Sequence, residues 1–534
     1  MMLAAMGFAV ASCSNDDPAV ISGVNSNDGG FAQFDIKLPQ VAASEAAEGT
    51  RAASFEQGTA SEYAVKNGKI IVFKKADKEA SATFVCSADL NGMNWSNGAA
   101  GEITTTSSGV AQLSNINLTD ASAYGVVVVL NYANDFVFPT TGQTFGQWSK
   151  TAQTGALKIV EGNNTYITMT NAARVGSGEP VVLADLDKSK VAQSESAISG
   201  SATTVYVQRA LAKVSVSTSA KYTPTGGSYT HDEVTINAWA LDITNKSSYP
   251  VQVTEGLSAK FAGIWSKDRF FGGSKFVRAY WAIDPNYDQA INSLDKVNAA
   301  FNVIGDGALT GVPASVYCME NTFDVNHQMQ GQTTRVVFKA TYKPQNIPAG
   351  ENFYKIGAST ALWNATDLQA QILAKAKTAL QRENLTVDLA TVKTKGGYHT
   401  ISDVVIKKGT ETISAAEYDL VAKSLGLTGR TDASIATYDK GVTYYVARVK
   451  HFGDADCPWK VGDPTYGGNN DKYLGRYGIV RNNWYEVAVK SISNPGSPVI
   501  PVIKPEVPDD ENEYYIQAQV NILSWAKRVQ NVDL

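Results

Sequence analysis

The chain has 534 residues, of which 44% are hydrophobic and 18% are charged. This composition provides an ordinary hydrophobic core for two or three domains and excludes a disordered, collagen-like or coiled-coil protein. The formal net charge is -5, from 46 basic and 51 acidic residues. Because the chain has no excess of positive charge, we expect no nucleic acid as a partner.

Residues 1–14, MMLAAMGFAVASCS, have the pattern of an export signal. An apolar run ends in small residues before Cys13, and polar residues follow it directly. We therefore predict a signal peptide in residues 1–12 and, because its basic start is missing, a natural start upstream of Met1. Residues 10–13 resemble a bacterial lipobox, which predicts that Cys13 is lipidated and that the precursor meets a membrane only through this lipid. An ordinary signal peptide with an incidental cysteine is the alternative.

The cysteine and histidine residues indicate neither a disulfide framework nor a metal site. Apart from Cys13, an odd set remains: Cys86, Cys318 and Cys457. An exported fold held by disulfides has an even set, so we expect this fold to depend on its core. The 4 histidines are scattered, and no CxxC or HExxH spacing occurs. We predict no metal and no other cofactor.

A short alternating pattern follows the signal. Its hydrophobic members are Ala32, Phe34, Ile36 and Leu38. They alternate with polar residues and end at Pro39, which predicts a strand with one buried face, here called the leader strand. The next segment, residues 41–62, has almost no large apolar residue on either side of Arg51. We expect this segment to be accessible to proteases.

From residue 63 onward, short β-forming runs alternate with turn residues. Residues 124–131 (YGVVVVLN) are apolar on both faces, as expected of a central strand. A Ser-rich stretch ends near residue 204, where we place the main domain boundary. Helices are predicted only for residues 367–380 and 414–426. The predicted segments are a leader in residues 13–51, an N-terminal domain in 52–204, a C-terminal domain in 205–493, and a linker with a final strand in 494–534.

The C-terminal segment carries a second amphipathic strand. Residues 494–511 contain 5 prolines, which predict an extended, semi-stiff linker. An alternating pattern follows, with no obvious hairpin partner, so we expect this strand to pair outside its own domain. Its apolar face consists of Tyr514, Ile516, Ala518, Val520 and Ile522.

No group of residues in the sequence supports an enzyme. Residues 293–296 form an SxxK without the partner motifs of a serine hydrolase, and residues 305–307 lack the strand-turn-helix context of a phosphate loop. The acidic loop in residues 463–471 lacks EF-hand spacing. The 9 Trp and 24 Tyr residues could form a sugar-binding surface, although core packing explains them more simply. A glycan-binding outer-membrane lipoprotein is therefore the alternative function.

Several segments together are similar to one known family. They are VQRALAKVSV (207–216), ALDITNKSSYPV (240–251), YWAIDPNYD (280–288), CMENTF (318–323), ATYKP (340–344), VRNNWYEVAVKSI (480–492) and QVNILSWAKRVQNVDL (519–534). With the lipobox and an arginine in a loose leader, the chain resembles the Bacteroidales fimbrillins that build type V pili. The likeness is strongest to the shaft subunit of the short, minor fimbriae.

The resemblance implies two transthyretin-like β-sandwich domains and an outer-membrane lipoprotein precursor anchored at Cys13. It also implies that an Arg-specific protease cuts between Arg51 and Ala52, removing the leader strand. The C-terminal donor strand of another subunit then fills the vacated groove and builds a head-to-tail homopolymer at the cell surface, with accessory tip and anchor subunits. The implied role is adhesion and biofilm formation. Arg51 together with an intact final strand favours the shaft, with a tip or accessory subunit as the alternative.

The two alternating patterns support the same mechanism without the resemblance. One lies before Arg51 and the other lies at the far end of the chain, and each could occupy one vacant strand position.

Overall fold

The computed structural model of the protein describes residues 29–39, 58–97, 104–119, 121–175, 180–199, 202–264, 271–272, 278–279, 281–452, 457, 470–509 and 516–523. Strands are the predominant regular secondary structure in these ranges, and helices are few and mostly short, which confirms the all-β prediction. The strands up to Arg209 are β1 (Gly29–Pro39), β2 (Gly68–Lys74), β3 (Thr83–Asp89), β4 (Asn91–Asn97), β5 (Thr104–Ser114), β6 (Tyr124–Leu130), β7 (Lys158–Glu161), β8 (Asn164–Ile167), β9 (Met169–Asn171), β10 (Arg174–Val175), β11 (Pro180–Val181), β12 (Ala184–Leu186) and β13 (Thr203–Arg209).

The later strands are β14 (Leu211–Ser217), β15 (Glu233–Asp242), β16 (Thr244–Asn245), β17 (Phe271–Gly272), β18 (Arg278–Ala279), β19 (Phe301–Asn302), β20 (Val316–Met319), β21 (Arg335–Lys343), β22 (Phe353–Ile356), β23 (Leu385–Asp388), β24 (Gly397–His399), β25 (Val405–Lys408), β26 (Glu411–Thr412), β27 (Ile435–Tyr438), β28 (Val442–Arg448), β29 (Trp484–Ile492) and β30 (Ile516–Leu523). The helices are α1 (Ala60–Tyr63), α2 (Phe145–Ser149), α3 (Leu257–Lys260), α4 (Leu294–Ala300), α5 (Ala365–Leu380) and α6 (Ala415–Ser424). None of these described helices is long and apolar enough to cross a membrane.

The first sheet has the strand order β3-β2-β6-β9-β13-β1-β5-β4, with β12 beside β6. Its two halves face each other across one hydrophobic core, here called the first core. This core takes Val126 and Val128 from β6 and Ala111 and Leu113 from β5. The opposite side chains of β6, Val127 and Val129, are also fully buried. Strand β6 is therefore apolar on both faces because each face of this part of the sheet is covered.

The residues that share a core with the second face of β6 come from both halves of the chain. Val127 and Val129 belong to a core that includes Trp281, Phe323 and Phe452. The two halves of the molecule thus share a continuous hydrophobic core.

The second half is built around two sheets that pack face to face. The first of these has the strand order β20-β14-β29-β30 and is here called the second sheet. The other has the order β15-β21-β28. Val214 and Val487 of one sheet lie in the same core as Trp239 and Phe338 of the other. The sheet pair is a β-sandwich of the kind expected for this part of the chain, and it is here called the second sandwich.

The chain passes from the first sheet to the second at Ala210. Strand β13 pairs with β9 and β1 in the first sheet, and β14 begins the second sheet at Leu211. The predicted boundary near residue 204 therefore lies at the start of β13, because the Ser-rich stretch leads into one more strand of the first sheet.

Residues 353–438 form a small α/β insertion between β21 and β28. Helices α5 and α6 pack with strands β22 to β27 around a core of their own. The predicted helices are confirmed: Asn364 caps α5, and Ser414 with Glu417 forms a capping box at α6. Gly426, just after α6, has a φ of +79°, as a left-handed helix end requires.

Candidate strand-exchange site

Strand β1, which contains the leader strand, lies inside the first sheet between two neighbours. Along its whole length it pairs antiparallel with β5, from Gly29 opposite Ser114 to Pro39 opposite Thr104. On the other side, residues 34–37 pair in parallel with residues 203–206 of β13. The backbone of Phe31 also exchanges two hydrogen bonds with Ala192, of 2.7 and 2.8 Å. The strand is therefore hydrogen-bonded along both edges.

The inward face of β1 is part of the first core. Its four apolar side chains have at most 1% of their surface exposed: Ala32, Phe34, Ile36 and Leu38. Burying side chains the size of Phe, Ile and Leu contributes about 1.5–3 kcal/mol each. Removal of β1 would take a substantial part of the first core away.

The start of β1 is fitted closely to its neighbours. Gly29 has a φ of +126°, and a Cβ atom there would lie 2.2 Å from the carbonyl oxygen of Leu113. A side chain at this position would collide with the backbone of β5, so the tight approach requires glycine.

The residues that would release β1 lie outside the described residues. Arg51 and Ala52 fall in residues 40–57, and Cys13 falls before residue 29. The chain returns at Gly58 and enters α1 at Ala60. The connection between β1 and the rest of the chain thus runs through the segment that contains the predicted cleavage point.

The C-terminal strand β30 pairs antiparallel with β29 of its own chain. The register runs from Leu523 opposite Trp484 to Ile516 opposite Ile492, with an irregularity between Val489 and Ser491. The expectation that this strand pairs outside its own domain is therefore wrong for the single chain, because β29 of the same chain provides an edge on which it pairs. Tyr514 lies outside the described residues, whereas Ile516, Ala518, Val520 and Ile522 are in β30.

The described part of the Pro-rich linker is docked on the protein rather than free. Ser497 and Tyr444 exchange backbone hydrogen bonds of 2.8 and 2.9 Å. Further along, Arg335 donates to the carbonyl oxygen of Pro501 at 2.9 Å, and Ile503 is buried. The linker therefore follows the surface of the second sandwich.

Asp509 ends the docked part of the linker in a buried ion pair. Its carboxylate lies 2.6 Å from Nε of Arg448, and the Thr333 hydroxyl also donates to it. Burial raises the pKa of Asp509 to about 7, against the opposing effect of Arg448 and Arg335. Asp509 was not among the predicted site residues, since it lies in a run of acidic residues typical of an exposed turn.

Four of the segments that carry the family resemblance meet in one buried polar network. Asn245 and the backbone N–H of Thr322 donate to Asp284 at 2.7 and 2.6 Å. Nearby, Arg481 donates to Glu320 at 3.0 Å and to Ser248 at 3.1 Å. Because these polar groups are paired within the protein, the network holds the second sandwich together.

The described histidine, cysteine, aspartate and glutamate side chains form no group that could hold a metal ion. Three of the tryptophans, Trp148, Trp239 and Trp281, are at most 1% exposed and belong to hydrophobic cores. Core packing therefore accounts for these three, and they are not available to stack on a sugar.

Residues 436–531 match the family model described as "Major fimbrial subunit protein type IV, Fimbrillin, C-terminal". The matched region contains β28, β29, the docked linker and β30. The family consists of structural fimbrial subunits, which agrees with the prediction of a protein that is not an enzyme. No protein with a curated description matches the chain in sequence.

Several solved structures are similar to the chain at low identity. The alignment with a proposed cell adhesion protein of Parabacteroides distasonis spans 94% of this chain and 99% of that protein, at 12% identity and a TM-score of 0.37. The alignment with a fimbrial assembly protein of the same organism spans 64% of this chain and 97% of that protein, at 13% identity and a TM-score of 0.28. The tip fimbrial protein Mfa3 of Porphyromonas gingivalis, with a C-terminal truncation, covers 93% and 100%, at 10% identity and a TM-score of 0.26. The functional evidence therefore comes from the family match, which identifies the C-terminal part of the chain as similar to a fimbrillin C-terminal domain.

Proposed function

We propose that the chain is a shaft subunit of a surface fimbria and that it polymerises by donor-strand exchange. In this mechanism an Arg-specific protease cuts between Arg51 and Ala52, β1 leaves, and the C-terminal strand of another subunit takes its place. The observation that carries the proposal is the position of β1: it is a central strand, and it joins the chain through the segment containing Arg51.

Loss of β1 would create a slot with a defined shape. Strands β5 and β13 would each present an unpaired edge, and the first core would lose four buried side chains. An extended strand with alternating apolar residues would restore both the hydrogen bonds and the core. The pattern of residues 514–522 has this alternation over a similar length.

The resting position of β30 is consistent with a strand that can be donated. In the described part of the second sheet, β30 is the last strand and pairs with β29 alone. A slot between β5 and β13 would offer it two flanking strands. Because a strand with two neighbours forms more backbone hydrogen bonds than a strand with one, transfer of β30 to a neighbouring subunit is favoured once the slot is open.

The gain from donation is sufficient to hold a polymer together. Five apolar side chains at about 1.5–3 kcal/mol each contribute roughly 7–15 kcal/mol, from which the costs of ordering the strand and of separating β30 from β29 are subtracted. Dissociation would then be slow, so the fibre would be kinetically stable. Because slot and strand lie on different parts of the chain, the contact is head-to-tail and propagates instead of closing into a dimer.

The proposal places the precursor at the outer membrane through lipid on Cys13, and the mature subunit in a fimbria at the cell surface. Its partners are further copies of itself, tip and anchor subunits, and the processing protease. The fibre would support adhesion and biofilm formation. The shaft role rests on the combination of Arg51 with an intact final strand, since a tip subunit needs no donor strand.

A glycan-binding lipoprotein remains the second candidate, and one observation favours it. That function requires a stable monomer whose C-terminal strand stays in its own sheet, and β30 does pair with β29. The burial of Trp148, Trp239 and Trp281 removes these three rings from a sugar-binding surface.

The deciding experiment compares boiled and unboiled protein on a denaturing gel before and after treatment with an Arg-specific protease. We expect a ladder of polymers only after cutting and only without boiling. The Arg51→Ala variant should give no ladder, whereas Arg382→Ala, which changes an exposed arginine of the α/β insertion, should behave like the unmodified chain. A ladder of normal length from Arg51→Ala, or a monomer after complete cutting, would contradict the proposal.

A further inference from the structure

Glu62 is a buried carboxylate in the first described helix after the cleavage segment. It lies in α1, and none of its surface is exposed. One carboxylate oxygen accepts a hydrogen bond of 2.7 Å from the backbone N–H of Thr59. This bond fixes the chain just where it emerges from residues 40–57.

The other oxygen of the Glu62 carboxylate faces the second sheet. It lies 2.8 Å from Nζ of Lys213 in β14, and the hydroxyl of Tyr317 in β20 donates to the same atom. The Lys213 side chain is only 7% exposed. Burial alone would raise the pKa of Glu62, but the hydrogen bonds from Lys213, Tyr317 and Thr59 and the positive charge of Lys213 together outweigh it, so this pKa lies below its ordinary value. The pair is therefore charged and desolvated.

A third contact joins Glu62 to the end of the strand that flanks β1. Arg209 is the last residue of β13, and its Nε atom donates to the backbone carbonyl oxygen of Glu62 at 2.8 Å. Since β13 runs parallel to β1, the end of β1 at Pro39 points towards Arg209. Helix α1 is thus fastened near the end of the position that β1 occupies.

Lys213, the partner of Glu62, also contacts β29, the strand that pairs with the C-terminal strand β30. The ammonium group of Lys213 lies 3.9 Å from the ring centroid of Trp484. Trp484 begins β29 and is opposite Leu523 of β30.

We propose that Glu62 anchors the new N-terminus of the cut subunit, so that cleavage releases β1 while α1 stays in place beside the vacated slot. This inference rests on the proposed function, because it needs a cut at Arg51. With α1 held, the strand β2 that follows it also keeps its place, and the slot is presented as a fixed receptor. Without the anchor, α1 and the residues after it would detach from the second sheet.

The position of the next trypsin site in the sequence makes detachment of α1 measurable. The next basic residue after Arg51 is Lys66, three residues beyond α1. The backbone N–H of Lys66 donates to Asn131 at 2.7 Å, and its side chain pairs with Glu161. We therefore expect trypsin to cut at Lys66 only after α1 has detached.

The test is limited trypsin digestion of the full chain, followed by mass measurement of the products. The unmodified protein should accumulate a product that begins at Ala52. In Glu62→Gln, a product beginning at Asn67 should form at least tenfold faster. Lys150→Met, which removes the exposed pair with Glu255, is the matched control and should behave like the unmodified protein.

Two further variants keep the test decisive if Glu62→Gln does not fold. Tyr317→Phe removes one hydrogen bond to a charged group and should accelerate cutting at Lys66 about tenfold. Glu62→Gln combined with Lys213→Met leaves neither charge unpaired and should also accelerate it. The anchor would be overturned if every folded variant were cut at Lys66 as slowly as the unmodified protein, or if the unmodified protein were cut at Lys66 as fast as at Arg51. Absence of any cut at Arg51 would instead contradict the proposed function.

Discussion

Arg448 and Asp509 form a buried ion pair of 2.6 Å that fastens the end of the Pro-rich linker to the second sandwich. Both side chains are at most 4% exposed. The contact divides the C-terminal segment into a docked linker and the strand-bearing segment that follows it. In the proposed assembly, the linker stays with the subunit that donates the strand, and only residues after Asp509 need to move.

The first prediction concerns this ion pair. At pH 8, above its pKa of about 7, Asp509 is ionised, and Asp509→Asn then removes this carboxylate from the buried Arg448, which costs about 3–5 kcal/mol. We expect the loss to appear as faster amide hydrogen exchange in residues 497–509, with the first sheet unchanged. Glu383→Gln, which alters the exposed pair with Lys377, should leave exchange unaltered. Unchanged exchange in Asp509→Asn would show that the linker is held by its other contacts.

The second prediction concerns the hold on the leader strand. Phe34→Ala empties a fully buried position and should destabilise the precursor by about 3–5 kcal/mol in urea unfolding. After cutting, the leader peptide should dissociate faster and the polymer should form sooner. Lys37→Ala, on the other face of β1, is the control and should have little effect on either measurement. Equal effects of the two variants would contradict the assigned faces.

The third prediction separates donating a strand from accepting one. Val520→Asp places a charge on the apolar face of the donor pattern and should prevent insertion into a neighbour, while its own slot still accepts a strand. Mixed with an excess of unmodified cut subunits, it should therefore end chains and shorten the ladder. Gln519→Asp, on the polar face of the pattern, should leave the ladder at normal length. A full ladder from Val520→Asp alone would rule out this strand as donor.

The fourth prediction concerns pH. Burial raises the pKa of Asp284 to about 7, from an ordinary value of 3.8. In the folded state Asp284 holds its proton at pH values where the unfolded chain has lost it, so its contribution to stability is largest at low pH and declines as pH rises towards 7. We expect Asp284→Asn to reduce this decline, measured as urea unfolding at pH 4.5, 5.5 and 7. An identical pH dependence in both proteins would show that Asp284 ionises normally.

Local patterns in the sequence were sufficient to predict several elements. The alternation around Phe34 predicts a strand with one buried face, and β1 has that form. The apolar face of residues 368–380 predicts α5, and the capping box of Ser414 with Glu417 predicts the start of α6. These features are predictable because periodicity and caps are set by neighbouring residues.

The partners of these elements could not be predicted in the same way. The sequence gives no sign that β13 completes the first sheet, that β30 rests on β29, or that the linker is docked up to Asp509. Pairing between strands depends on hydrogen bonds and packing between residues far apart in the chain, and many registers satisfy the same local pattern.

The buried charges show the difference most clearly. Glu62 and Asp509 lie in polar stretches that are typical of solvated loops, and the sequence alone assigns them no role. Their burial was decided by Lys213 and Arg448, which are distant in sequence and supply the opposite charges only once the second sandwich has formed. The sequence by itself determined which segments become strands and which faces are apolar, whereas the tertiary structure decided where those strands lie and which charges are neutralised, because a charge can leave water only where the fold brings a partner to meet it.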